Sequence, residues 1–212
     1  MLESCSEKSE DDVDDIEQSI RRPCLVINNL PPQRDISDEE VFLDMCQHKF
    51  GRKFRVTPEM ISKIHRVPKP ANRTDRTKPE AMVVKFSKDK YRDMIFKNKR
   101  EMKGSGITIT ELLTNKRSAL VKSCIDKIPG GPNRAIWTDN GKIFAKYTKD
   151  ERNWHSQVIK KEDDISKFIQ DINHLLPDSN IADANRNAPR NVASDLGVNP
   201  LLSITTPPVS GE

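Results

Sequence analysis

Two apolar runs of strand length, Cys24 to Leu30 (CLVINNL) and Ala81 to Phe86 (AMVVKF), lie about fifty residues apart, with a helical pattern and a basic loop between them. Runs of this kind read as strands of one sheet, and the gap is long enough to hold a crossover helix and a further strand. Side chains alternate between the faces of a strand. The first run is therefore expected to bury Leu25 and Ile27 and to show Cys24, Val26 and Asn28. The second is expected to bury Met82, Val84 and Phe86 and to show Ala81, Val83 and Lys85.

The intervening pattern supplies the other elements. Ser37 to Glu40 (SDEE) is a capping box, in which a serine hydroxyl and a glutamate satisfy free amides at a helix start, with Ile36 and Val41 placed as a hydrophobic staple. Val41, Phe42, Met45 and Cys46 then form one helix face, and Gly51 marks its end. A second strand is expected from Met60 to Val67, followed by a loop from Pro68 to Pro79. Tyr91, Met94, Ile95 and Met102 mark a second amphipathic helix beginning near Ser87. After a Gly104 to Gly106 turn, Ile107 to Thr110 (ITIT) alternates as a strand. Strand, helix, strand, strand, helix, strand is the order of the ferredoxin-like split β-α-β unit, the scaffold of RNA-recognition (RRM-like) domains. Such sheets place stacking aromatics on their open face. Here those positions are Val26, Ala81 and Val83, so the scaffold is expected without its stacking platform.

The expected fold class is α+β: an RRM-like domain over residues 23–111, then a small α/β C-terminal domain over 112–176. In the second, Leu120, Val121, Cys124, Ile125 and Ile128 give a helix face starting near Asn115 and ended by Pro129 to Pro132. A hairpin follows from Arg134 to Tyr147, with Asn140-Gly141 supplying the two positive-φ residues of a type I′ turn. Ile165, Phe168, Ile169, Ile172, Leu175 and Leu176 form a terminal helix stopped by Pro177. Residues 177–212 lack periodicity and are expected to be disordered. Residues 1–22 read as an acidic arm in which Val13, Ile16 and Ile20 follow the spacing of a coiled-coil end.

Charge separates these segments. The 212 residues carry a formal +4, yet residues 1–20 hold eight acids and one lysine and residues 171–212 five acids and two arginines, which leaves +14 in between. A basic middle between acidic ends favours a polyanionic partner, most simply nucleic acid. No apolar run approaches the roughly 18 residues of a membrane span, and the acidic N-terminus lacks the form of a signal peptide. The expected location is the cytoplasm or the nucleus, away from membranes. Cys5, Cys24, Cys46 and Cys124 form no CxxC pair, and the last three are expected to be reduced and packed. His48, His65, His155 and His174 have no metal-like spacing, and no nucleophile elbow, phosphate loop or HExxH motif occurs. After the first strand, where a phosphatase of this topology would need a glycine-rich anion loop, the chain reads Pro31 to Arg34 (PPQR). No catalytic residue, metal or cofactor is expected.

Two groups of residues could carry binding. Lys63, His65, Arg66, Lys69, Arg73, Arg76, Lys78 and Lys85 place eight basic side chains in 23 positions, several on a proline-punctuated loop, which suits contact with phosphates rather than base readout. In the hairpin, Trp137 should pair with Phe144, Ala135 with Lys146 and Asp139 with Lys142 on one face, with Ile136, Thr138, Ile143 and Ala145 on the other. If the isoleucine face is core, Trp137 and Phe144 stand among lysines as a base-stacking pair; if the aromatic face is core, they are packing.

The chain resembles the first-open-reading-frame protein of LINE-type retrotransposons, an RNA-binding nucleic-acid chaperone family. The resemblance runs through Ile20 to Pro31 (IRRPCLVINNLP), Ile64 to Val67 (IHRV), the basic loop into Ala81 to Phe86, Ile107 to Arg117 (ITITELLTNKR) and Ile136 to Phe144 (IWTDNGKIF), about 150 residues in all. Few-polyhedra-type proteins share much of the pattern. It implies an RRM-like domain without stacking aromatics, a C-terminal α/β domain and a trimer-forming upstream coiled coil, of which only Asp11 to Arg22 could be the end, as in a shortened or domesticated copy. The family's basic contacts fall on Arg66, Arg73, Arg76, Lys85, Arg117 and the hairpin lysines Lys142 and Lys146; Lys122 and Arg134 complete the candidate set. The expected function is non-catalytic binding of single-stranded RNA, or DNA, as a chaperone, with a homotrimer as the assembly. The alternative is a protein-interaction module docking a partner on the exposed Val26, Ala81 and Val83.

Overall fold

The computed structural model describes residues 2–68, 78–149 and 152–176. Lys69, Arg73 and Arg76 of the basic loop, and the tail from 177, lie outside the described residues. The chain is α+β: helices α1 (Leu2–Arg21), α2 (Asp38–Phe50), α3 (Asp89–Lys97), α4 (Asn115–Lys127) and α5 (Glu162–Ile172) accompany two antiparallel sheets. The first contains β1 (Cys24–Asn28), β2 (Ile61–Val67), β3 (Ala81–Phe86) and β4 (Thr108–Glu111) in the order β2-β3-β1-β4. The second contains β5 (Arg134–Asp139), β6 (Lys142–Thr148) and β7 (Trp154–Ile159) in sequence order.

Local signals explain most element starts. The Ser37 hydroxyl accepts from the Glu40 amide at 3.2 Å and the Glu40 carboxylate accepts from the Ser37 amide at 3.0 Å, the reciprocal pairing that satisfies two orphan donors of α2. Ile36 stays 44% exposed, so the staple with buried Val41 is loose. Thr114 caps α4 by accepting from the Arg117 amide. Asn140 and Gly141 both take positive φ, 51° and 74°, closing the β5–β6 hairpin in the register the alternation required.

One core packs α2 and α3 on the first sheet through Leu25, Ile27, Phe42, Met82, Val84, Phe86 and Ile95. A second packs α4 and α5 on the other sheet through Val121, Cys124, Ile136, Ile143, Ala145, Phe168 and Ile172. Cys24, Cys46 and Cys124 are buried free thiols. Burial raises all three, Cys124 to about 12, which keeps them protonated and unreactive.

The face of the first sheet expected to be open is covered. Cys24, Val26, Ala81 and Val83 are 8, 1, 7 and 4% exposed, and they form a third apolar cluster with Leu112. β1 and β3 are the two inner strands, and the connector leaving β4 folds back over them. Gln18 of α1 pins that connector, donating to the Leu112 carbonyl at 3.1 Å and accepting from the Thr114 amide at 3.0 Å. Burial on both faces is what makes CLVIN and AMVV nearly continuous apolar runs, where a half-open sheet would alternate. A partner-docking surface made of Val26, Ala81 and Val83 therefore does not exist in this fold.

Residues 2–21 form a full helix docked on the chain. At 100° per residue, Asp11, Asp14, Gln18 and Arg21 share one side of α1 and face the C-terminal module, while Val13, Ile16 and Ile20 point the opposite way. These three are 56, 61 and 65% exposed. β7 was not expected from the sequence, because its alternation is inverted: Trp154 and Val158 face outward, His155 and Gln157 are half-buried, and Ile159 is the buried residue.

Candidate nucleic-acid interface

Lys63 and His65 on β2 and Lys85 on β3 share the face of the first sheet opposite α2 and α3, and all three are exposed. Lys63 is the direct cross-strand partner of Lys85. Like charges at a directly opposed pair repel and are destabilising. Neither lysine has an ion-pair partner among the described residues. Lysines on the edge strand β2 also discourage pairing with another sheet, but that purpose does not require a second lysine facing the first. Lys78, at the start of the described residues after the loop, is exposed.

Three arginines of the candidate set, Arg66, Arg117 and Arg134, are used within the chain. Arg66 points to the opposite side of β2: its Nε donates to Asp38 Oδ1 at 2.7 Å and its Nη1 to the carbonyls of Leu30 and Glu80. It ties the start of α2 and the β1–α2 loop to the edge strand. Arg134 donates to the carbonyls of Ile125 and Ile128, satisfying the end of α4, and burial lowers its affinity for a proton. Arg117 donates from Nε to Asp14 at 2.7 Å, from Nη2 to Asp15 and from Nη1 to the Gly141 carbonyl at 3.0 Å. Its neighbour Lys116 donates to Asp11 at 2.5 Å, and each group holds the other in its charged form. The cleft between α1, α4 and the hairpin turn, about 770 Å³, thus sets Asp11, Asp14 and Asp15 against Lys116 and Arg117. Lys116 and Arg117 are neutralised from within the cleft, whereas Lys142 and Lys160, which also line it, are bonded to none of its three carboxylates. Lys122 is exposed on α4.

The second sheet resolves which hairpin face is open. Ile136 and Ile143 are 2% exposed and Ala145 is fully buried, whereas Trp137 is 36% exposed and Phe144 half-buried. The Trp137 and Phe144 rings lie nearly parallel, 9° apart with centroids at 5.3 Å. Lys142 and Lys146 stand on the same strand face as Phe144. β7 adds Trp154, 54% exposed and registered opposite Thr148, with the Lys146 ammonium 5.0 Å from its ring. The sequence reading missed Trp154 because it had no strand there to orient it.

Between the two modules lies a buried charge cluster that the sequence did not announce. Arg92 of α3 is 2% exposed and bonds Glu111 at the end of β4, itself 6% exposed. Glu111 also accepts from the Gly141 amide at 3.3 Å. Among the described residues no group of histidine, cysteine and acidic side chains is arranged to hold a metal ion, and no helix is long and apolar enough to cross a membrane. No family model and no curated protein matches the chain.

Proposed function

We propose that the chain is a non-catalytic binder of single-stranded RNA or DNA that holds its ligand mainly through phosphates and acts as a chaperone in a retrotransposon ribonucleoprotein of LINE type. The observation that carries this reading is the Lys63–Lys85 couple, without an ion-pair partner among the described residues, with His65 beside it on the same exposed face. A bound polyanion would offset the repulsion within this like-charge pair. The strand order β2-β3-β1-β4, all antiparallel, supports an RRM-like assignment for the first module. Aliphatic cover where such sheets stack bases supports contacts that follow the backbone with little sequence preference. Lys78, Lys122 and Lys142 are further exposed cations and Lys146 is half-buried, while Arg66, Arg117 and Arg134 brace the elements that carry them.

Retention of labelled single-stranded RNA across a salt series tests the reading. Log affinity should fall linearly with log salt, by about 0.7 for each phosphate contact. Binding that ignores salt, or none at low salt, sinks it. The exposed Val13, Ile16 and Ile20 stripe, on the side of α1 away from its docking contacts, supports assembly into a homotrimer. Light scattering on the intact chain should give three times the 24.2 kDa mass; a monomer at all concentrations removes that part.

A further inference from the structure

We propose that the open face of β5-β6-β7 is a base-stacking subsite with two aromatic seats, Trp137 with Phe144 at one end and Trp154 at the other, bridged by Lys146. This inference deepens the reading above and rests on it, since the occupant is a short run of unpaired nucleotides.

The register defines the subsite. Trp137, Phe144 and Val158 form one row across the three strands; Ala135, Lys146 and Ser156 form the next; Thr148 and Trp154 form the third. Phe144 to Thr148 is four residues of strand, about 14 Å, and Trp137 to Trp154 also crosses two strand spacings, so the diagonal is about 17 Å. A splayed single strand advances further per nucleotide than the 3.4 Å of a duplex strand, and a few nucleotides cover that diagonal. Lys146 lies midway along it and reaches the Trp154 ring. A base on Trp154 would therefore bring its phosphate to an ammonium already in place.

Charge decides the class of occupant. Among the residues of the three strands the only carboxylate is Asp139, which shares the open face opposite Lys142 at the turn end; Lys146, between the aromatic seats, faces Ala135 and Ser156 and no carboxylate. The pair of rings lies on the open face, Trp137 exposed and Phe144 half-buried, although the hairpin has a buried face available in Ile136, Ile143 and Ala145. Stacking of bases on such rings tolerates any sequence, because every base has a π-face. It thus adds affinity without the base readout that a chaperone must avoid.

The chain contains two tryptophans, Trp137 and Trp154, so all of its tryptophan emission comes from this face. The full chain is titrated with a short oligouridylate, with an abasic oligomer of the same length and with inorganic polyphosphate, while anisotropy of a labelled single-stranded RNA reports binding anywhere. The oligouridylate should quench the emission and the two base-free polyanions should not. Trp154→Ala and Trp137→Ala should each weaken RNA binding roughly fivefold or more, and Trp154→Phe should restore most of it. Trp154 is exposed enough that its removal leaves the core intact, and unchanged far-ultraviolet circular dichroism verifies this. Anisotropy that rises while the emission stays constant overturns the stacking subsite and leaves the phosphate-binding reading standing. Quenching by the base-free polyanions to the same depth overturns it as well. If neither signal responds to RNA, both readings fall.

Discussion

Glu111→Ala should lower the unfolding free energy by about 3–5 kcal/mol, the cost of leaving a buried charge without its partner. Arg92 is 2% exposed and its guanidinium lies 4.6 Å from the Phe96 ring, so water cannot replace the lost carboxylate. Asp93 accepts from Nη1 at 2.8 Å, but on the other side Nη2 has only Glu111. The loss is a large part of the roughly 5–15 kcal/mol that holds a typical domain together. The same substitution removes the acceptor of the Gly141 amide, so the contact of the hairpin turn with the first module should loosen too. Urea unfolding followed by circular dichroism measures the effect. The double variant Arg92→Met, Glu111→Leu provides the control, because exchanging a whole buried ion pair for apolar side chains is often neutral. A single variant within about 1 kcal/mol of the parent would mean that Arg92 finds water or another acceptor.

Lys63→Gln combined with Lys85→Gln should have opposite effects on stability and binding. Each lysine released from a phosphate lowers the salt slope by about 0.7, which for two contacts near 0.1 M salt corresponds to affinity weakened on the order of 25-fold. Removing a directly opposed like-charge pair should at the same time stabilise the sheet, by about 0.2–1 kcal/mol. A weaker binder that is also a more stable protein separates this outcome from simple damage to the fold. Salt-dependence measurements and urea unfolding on one preparation give both numbers. Unchanged RNA affinity would show that the ligand path avoids this face.

Much of the topology was legible because it rests on short-range signals. The capping box at Ser37, the paired positive-φ residues Asn140 and Gly141, and the stripes of α2, α4 and α5 depend on neighbours within a few positions, and they lie where their chemistry put them. β7 was illegible for a definite reason: a strand is recognised by apolar residues pointing inward, and here the apolar Trp154 and Val158 point out. The status of Val26, Ala81 and Val83 was misread because alternation reports which side a residue takes, not whether another segment later covers that side.

The candidate site divides the same way. Residue type and clustering were enough to single out a basic surface, and Lys63, His65 and Lys85 share an exposed face. Arg66, Arg117 and Arg134 looked equivalent to them in sequence, yet each is consumed by partners between six and 103 positions away. Charge is a property of the sequence, whereas a free charge is a property of what lies opposite it in space. By itself the sequence determined most of the elements and their order, β7 excepted, and the +14 of the middle segment, all of which depend on local pattern or on counting. Only the tertiary structure decided which cations remain open, that the acidic α1 neutralises Lys116 and Arg117, and that Trp137, Phe144 and Trp154 share one face. Each of these depends on contacts between residues far apart in the chain, which no local pattern encodes.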